Sequence, residues 1–317
     1  MITKQELKAH GAIFAANIMW GCVSPFTKLI LQDGTLSGLQ LSAVRIIGAT
    51  LVFLLMGLIL PKSVAPKEKI RKGDWLKIIA ASLLIITFNQ ALFIVGIAYT
   101  SPIDSSIMTT LTPLFTMICA AIFLGIPISW LKALGVVLGL GGALLMVFGQ
   151  ASGASEASNP ILGDSLCLLA QLCAALYYVL FRDIINRYSA FTLMKWMFIV
   201  SSCTFGVAML PELCKVDFGK IASAVWMSIG YLVIFGTFLA YLTIPYAQKY
   251  LKPTVVAMYN YFQPVVAALL ATAMGLASFG FVKMAATLLI FIGVWFVTSS
   301  KGASNKKEIN KQTPCGD

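Results

Sequence analysis

The chain has 317 residues, of which 59% are apolar and only 11% charged, and its formal net charge is +11. A water-soluble domain carries about 25% charged residues, so this chain lacks the polar surface to cover itself in water. A bilayer fits instead, and there every backbone amide must be satisfied within helices or a closed barrel. Long uninterrupted apolar runs, such as Leu51 to Leu60 and Leu134 to Phe148, favour helices, because barrel strands alternate.

A hydrocarbon core of roughly 30 Å takes about 20 apolar residues per helix. The sequence divides into ten predicted spans: 10–31, 39–60, 75–98, 103–124, 132–149, 162–181, 190–210, 225–247, 254–275 and 281–299. The joins are short and leave no room for a separate soluble domain. The first apolar run is too long for a signal peptide, and no small-residue cleavage site follows it. The polar stretch 300–317 is expected to be a disordered cytoplasmic tail.

With ten spans both termini lie on one side. That side carries 18 of the 23 Lys and Arg residues; the other has Lys215, Lys220 and Lys283, while Lys28 and Arg45 fall inside spans. Such a bias places both termini in the cytoplasm. The net charge then reflects this bias and attraction to anionic headgroups, with no nucleic-acid partner needed. The seven cysteines are scattered and unpaired in spacing, which suits small packing residues. The single histidine, His10, has no companion ligands, so no metal and no cofactor is expected.

The chain repeats itself. At an offset of 151 residues Trp75 meets Trp226, Tyr99 meets Tyr250, Pro102 meets Pro253, Pro113 meets Pro264, Lys132 meets Lys283 and Gly142 meets Gly293. Rare residues coincide at one offset, as in an old duplication. The halves are 10–149 and 162–299. Each holds five spans, an odd number, so the second enters the membrane from the opposite side. The predicted fold is an all-α integral membrane protein of ten transmembrane helices in two inverted five-helix repeats. Secondary transporters use this architecture, with the solute site near the midplane between the halves.

Polar groups at bilayer depth are costly and mark function or helix-to-helix hydrogen bonds. The fourth span offers Thr109 and Thr112 before Pro113; the ninth offers Asn260 and Gln263 before Pro264. The spacing puts each set on one helix face, and each proline frees a carbonyl one turn back. Asn17 and Trp20, Asn89 and Gln90, Gln171 and Tyr241 complete the predicted binding set, with Tyr177, Tyr178, Tyr259 and Tyr261 as aromatic surface. Such a lining suits a neutral, zwitterionic or aromatic metabolite. Arg45, Pro113 and Pro264 are the candidate gating residues. Arg45 either neutralises a helix C-terminus or meets an anionic group. Lys28 is expected to snorkel to the interface. Asp104, Asp164 and Asp74 read as helix N-caps, which leaves no carboxylate at the midplane and gives no support to proton coupling. The run Gly135 to Gly142 reads as close helix packing, not as a phosphate loop.

Trp20-Gly21 with Lys28, the stretch Leu41 to Ile46 with Arg45, Tyr99 to Phe115, Gly135 to Gly149, and the echo of the last two in Tyr250 to Gly293 resemble motifs of the drug/metabolite transporter superfamily in its ten-helix EamA-like branch. The family's glutamate after a glycine at the ends of the fourth and ninth spans is absent, since Ile126 follows Gly125 and Leu276 follows Gly275. That departure marks a diverged subgroup. The resemblance implies a secondary transporter of a bacterial cytoplasmic membrane that moves a small metabolite or drug-like solute outward. The partners expected are that solute and the bilayer, with a second copy of the chain as a candidate homodimer. A channel or a lipid scramblase is the alternative. A membrane-embedded enzyme ranks below both, because the sequence holds no HExxH, no paired midplane carboxylates and no nucleophile elbow.

Overall fold

Apolar residues fill the long runs, and their amides find partners by winding into helices. The computed structural model describes residues 4–61, 63–66, 68–149, 158–243, 250, 259–260, 262–276 and 280–299, with no strand among them. Helices α1 (Lys4–Gly21) and α2 (Val23–Gln32) form one rod. Helix α3 (Gly38–Ile59) starts with a capping box: the Ser37 hydroxyl accepts the Gln40 N–H while the Gln40 side chain accepts the Ser37 N–H. Helix α4 (Trp75–Ser82) passes through a π-helical segment, Leu83–Phe88, into α5 (Asn89–Tyr99). Then come α6 (Pro102–Thr109), α7 (Thr112–Leu124), α8 (Trp130–Gly149), α9 (Pro160–Leu180), α10 (Arg182–Arg187) and α11 (Ala190–Ser201). A second π-helical segment, Ser202–Gly206, leads to α12 (Leu210–Leu213); α13 (Ser223–Val233) runs into a third, Ile234–Leu239. Helices α14 (Phe262–Ala273) and α15 (Phe281–Ser299) complete the described chain.

Six helical stretches among the described residues are long and apolar enough to cross a membrane: Gln5–Gln32, Gly38–Ile59, Lys72–Tyr99, Pro102–Leu124, Pro160–Leu180 and Ser223–Thr243. The other four predicted spans correspond to shorter apolar helices, Trp130–Leu145, Ala190–Gly206, Phe262–Ala273 and Met284–Gly293. Parts of the predicted eighth and ninth spans, with Tyr261 and the 300–317 tail, lie outside the described residues.

Glycines decide the closest approaches. A Cβ on Gly293 would sit 2.5 Å from the Gly139 nitrogen and 2.6 Å from the Gly135 carbonyl oxygen, while one on Gly142 would meet the Ala286 carbonyl oxygen at 2.9 Å and Ile290 Cγ1 at 2.8 Å. Helices α8 and α15 are therefore antiparallel and in backbone contact, the packing role expected of the Gly135 to Gly142 run; Gly141 faces open space. Helices α5 and α9 meet likewise, with a Gly96 Cβ 2.9 Å from the Gly163 carbonyl. Elsewhere large rings fill the space: Phe53 packs against Phe191, Phe198 and Phe238.

Several charged residues differ from their sequence reading. Ser101 caps α6, and Asp104 sits three residues on, its carboxylate accepting from the Ser101 hydroxyl at 2.6 Å. Asn159 caps α9, while the buried Asp164 accepts from Thr100 Oγ1 at 2.5 Å. Asp74 occupies the cap position of α4 without capping; its carboxylate accepts from Arg187 at 2.5 Å and Tyr188 at 2.7 Å. Lys28 does not snorkel. Its buried ammonium donates to the carbonyls of Ile97 (3.1 Å), Ala98 (3.1 Å) and Thr100 (2.9 Å), closing the C-terminus of α5 where the helix dipole favours a cation.

Candidate functional site

The break between α6 and α7 follows from one missing donor. Pro113 has no N–H, so the Thr109 carbonyl loses its helical partner. Thr112 Oγ1 takes that place at 2.8 Å. Thr109 and Thr110 likewise turn their hydroxyls onto the carbonyls of Ser106 and Ile107, both at 2.7 Å. The amides of Thr110 and Leu111 fall back on tighter bonds to Ile107 (3.0 Å) and Met108 (3.1 Å). The helix is thus broken by a tight turn at Thr110 and Leu111, with Pro113 in the first turn of α7. Pro264 stands near the start of α14, and the Asn260 carbonyl facing it accepts the Gln263 N–H at 3.2 Å.

Around these two prolines polar side chains meet. Gln263 Nε2 donates to Asn17 Oδ1 at 2.8 Å, and Thr109 Oγ1 lies 3.2 Å from Gln263 Oε1. Thr112 Oγ1 lies 2.7 Å from Gln171 Oε1. Asn17 also donates to the Ile13 carbonyl at 2.8 Å. Asn17, Gln263, Thr109, Thr112 and Gln171 thus connect α1, α14, the α6–α7 break and α9. Asn17, Gln171 and Gln263 are buried; the two threonines are half-buried.

The other candidates lie elsewhere. Asn89 Nδ2 donates to the Ala170 carbonyl at 2.6 Å, joining α5 to α9. Gln90 Nε2 reaches the Ser42 carbonyl at 3.4 Å. Trp20 Nε1 donates to the Gly236 carbonyl at 3.2 Å, and the Trp20 and Tyr241 rings meet edge to face, centroids 6.1 Å apart. Asn260 is half-buried and just precedes α14. Tyr177 is buried beside Tyr178, and Tyr259 bonds His10 at 2.9 Å.

Arg45 leaves only 5% of its surface exposed. Its Nη2 donates to Thr237 Oγ1 at 3.0 Å, and its buried Nε meets no hydrogen-bond acceptor. Of the two sequence readings, neutralisation of a helix C-terminus belongs to Lys28, since Arg45 reaches a hydroxyl in a π-helical segment. Thr237 escaped the sequence reading, although it is a polar residue within an apolar span and meets the criterion that selected Gln90. The hydroxyl pairs Thr87–Ser201 and Thr50–Ser202, each at 2.7 Å, were missed too. Their partners are far apart in sequence, and serine or threonine in an apolar run gives only a weak signal.

One solved crystal structure overlays this fold with a TM-score of 0.62 at 16% identity, covering 93% of this chain and 98% of that one. Among curated proteins, the uncharacterized inner membrane transporter YedA of Escherichia coli is 24% identical over 306 residues, spanning 94% of this chain and 93% of its own. The uncharacterized transporter YyaM of Bacillus subtilis is 26% identical over 224 residues, 71% of this chain and 73% of that protein. A WAT1-related protein of Arabidopsis thaliana is 31% identical over 192 residues, 55% of this chain and 54% of its own. The model of the EamA-like transporter family matches residues 7–148 and 161–299. With relatives named as transporters, apolar helices throughout and a family match over nearly its whole length, the chain is a membrane protein that belongs to the EamA-like transporter family.

Proposed function

We propose that the protein is a secondary carrier of a cytoplasmic membrane, with both termini in the cytoplasm, that exports a small metabolite by alternating access between inverted repeats 10–149 and 162–299. The observation that supports this reading is a set of paired features separated by 151 residues. The π-helical segments Leu83–Phe88 and Ile234–Leu239 are that far apart. Gly142 meets Ala286 and Ile290, while its equivalent Gly293 meets Gly139 and Gly135, their own equivalents. Thr112 bonds Gln171 on α9, while its equivalent Gln263 bonds Asn17 on α1. The two family-model matches and the inner-membrane description of YedA support the same reading.

In this reading the five-residue network is the midplane site in an occluded state, its polar groups satisfying one another until solute replaces them. Closure of these groups on each other suits a carrier better than an open pore. Nothing in the network resembles a nucleophile with its base, so no chemistry on the solute is proposed.

Counterflow in proteoliposomes tests the reading, on solutes chosen by a melting-temperature screen of amino acids, nucleosides and drugs. Saturable uptake stimulated by internal solute is the expected result; linear, unsaturable flux would make the protein a channel. Gln263→Leu separates a solute site from a mere bond between helices. An interhelical hydrogen bond in a membrane averages about 0.6 kcal/mol. The carrier reading expects at least about a tenfold loss of transport, well beyond that energy, with a small change in melting temperature. A large loss of stability with unchanged affinity would remove Gln263 from the site.

A further inference from the structure

We propose that Arg45 is the anion anchor of the translocation pathway, so that the carried solute bears a carboxylate or a similar planar oxyanion. The inference rests on the carrier reading and names the solute class. Arg45 lies within an apolar helix, 95% of its surface out of contact with solvent. Among the described residues no carboxylate lies within 4 Å of it, because every ion pair there involves Lys77, Arg187, Lys215 or Lys220. Its guanidinium holds one neutral hydroxyl, Thr237, through Nη2. The adjacent Nε donor is buried without an acceptor.

A dry guanidinium with no counter-charge is expensive, and such residues in membranes mark ion or solute paths. The Nε and Nη2 edge of a guanidinium is the fork that grips a carboxylate with two parallel hydrogen bonds. Here one tine is unused, and the other rests on a hydroxyl that also donates to the Leu232 carbonyl at 2.8 Å. An arriving carboxylate displaces the weaker neutral acceptor and fills both tines. The surroundings match a solute with an apolar or aromatic body: Tyr241 interacts electrostatically with Arg45, and Trp20 lies edge-on to the Tyr241 ring. Gln90 reaches the Ser42 carbonyl, one turn of α3 before Arg45.

The test uses the purified full-length protein, with acetate, lactate, benzoate and phenylacetate each matched to its amide: acetamide, lactamide, benzamide and phenylacetamide. Melting temperature is followed against concentration. At least one carboxylate is expected to stabilise the wild type while its amide does not. Arg45→Gln should weaken that carboxylate by about 100-fold, because a charge-assisted pair is lost, and should itself melt at or above the wild type, because an uncompensated buried charge is gone. Arg45→Lys keeps the charge but loses the fork and should weaken binding about tenfold; it takes over as the deciding variant if Arg45→Gln does not fold. No stabilisation by any of the four carboxylates, or equal stabilisation of wild type and variant, overturns the proposal. Counterflow separates it from the carrier reading. Carboxylate binding that depends on Arg45 without counterflow keeps the anchor and removes the carrier. Counterflow of amides, equal in wild type and Arg45→Gln, keeps the carrier and removes the anchor.

Discussion

Thr112 is a single side chain that repairs a backbone defect and joins two helices. Its one proton serves the Thr109 carbonyl or the Gln171 amide oxygen at a given moment. Thr112→Val removes both options and should lower stability by about 1 kcal/mol, seen as a lower melting temperature in detergent, whereas Thr112→Ser should stay close to wild type. Lys28 has the larger effect. Lys28→Met orphans three carbonyls at the end of α5 and should cost about 1.5–3 kcal/mol, the range for bonds from a charged donor; a melting temperature within a degree of wild type would refute the capping role. The polar faces around Pro113 and Pro264 were legible because threonine, asparagine and glutamine stand out in an apolar run at helical spacing. The role of Lys28 was not, since its acceptors are main-chain atoms about seventy positions away, and no side-chain pattern records a carbonyl's direction.

Helices α8 and α15 touch through backbone, and this sets a sharp contrast between glycines at and away from the contact. Gly293→Ala drives a methyl group to within 2.5 Å of the Gly139 nitrogen, so the helices must separate, at about 1–3 kcal/mol. Gly141→Ala meets nothing within 4 Å and should be neutral or slightly stabilising. Melting curves and size-exclusion profiles of the two variants give the comparison, and equal behaviour would contradict the packing. The glycine run was readable as a packing face from its four glycines in an apolar span. The π-helical segments were not, because Leu83–Phe88 and Ile234–Leu239 are apolar stretches like their neighbours. Their geometry belongs to the hydrogen-bond register, which composition does not encode. The break before Pro113 was half legible: the proline gave the place, while the turning of the Thr109, Thr110 and Thr112 hydroxyls onto main-chain carbonyls left no mark in the pattern.

At the scale of the molecule, the all-helical, membrane-spanning character was the most readable feature, because long apolar runs with few charges leave helices in lipid as the fitting structure. Solute identity was the least readable, because it depends on which polar groups pair with each other and which stay open. Charge placement predicts that Cys214, which is exposed, lies outside the cell. A variant with Cys214 as its only cysteine should react in intact cells with a maleimide that cannot cross membranes; reaction only after lysis would invert the topology. At the opposite end of the bundle, Lys77–Asp183, Arg187–Asp74 and Ser189–Glu68 tie the stretch 68–77 to 183–189. The Lys77 ammonium holds the Asp183 carboxyl below the usual carboxylate range. A lowered folded-state value means that this contribution is present above the ordinary aspartate value of about 3.9 and fades as pH falls through the lower one. Both side chains are well exposed, so solvent screens the pair. Asp183→Asn should therefore flatten the acid limb of a stability profile only slightly, and added salt should do the same.

The π-helical segment Ile234–Leu239 sets the phase of the helical residues 240–243 that follow it. A wider turn takes up an extra residue, so residues 240–243 are out of step with α13 by about 100°, one residue's rotation, relative to an ordinary helix. Tyr241, two residues past the segment, meets the Trp20 ring edge to face. Deleting one apolar residue from the segment, with no polar group touched, would restore the ordinary winding and swing Tyr241 about a quarter-turn away. The length of this short apolar stretch is thus itself a determinant of how the bundle's two faces are aligned, and a variant shortened by one residue should lose the Trp20–Tyr241 contact.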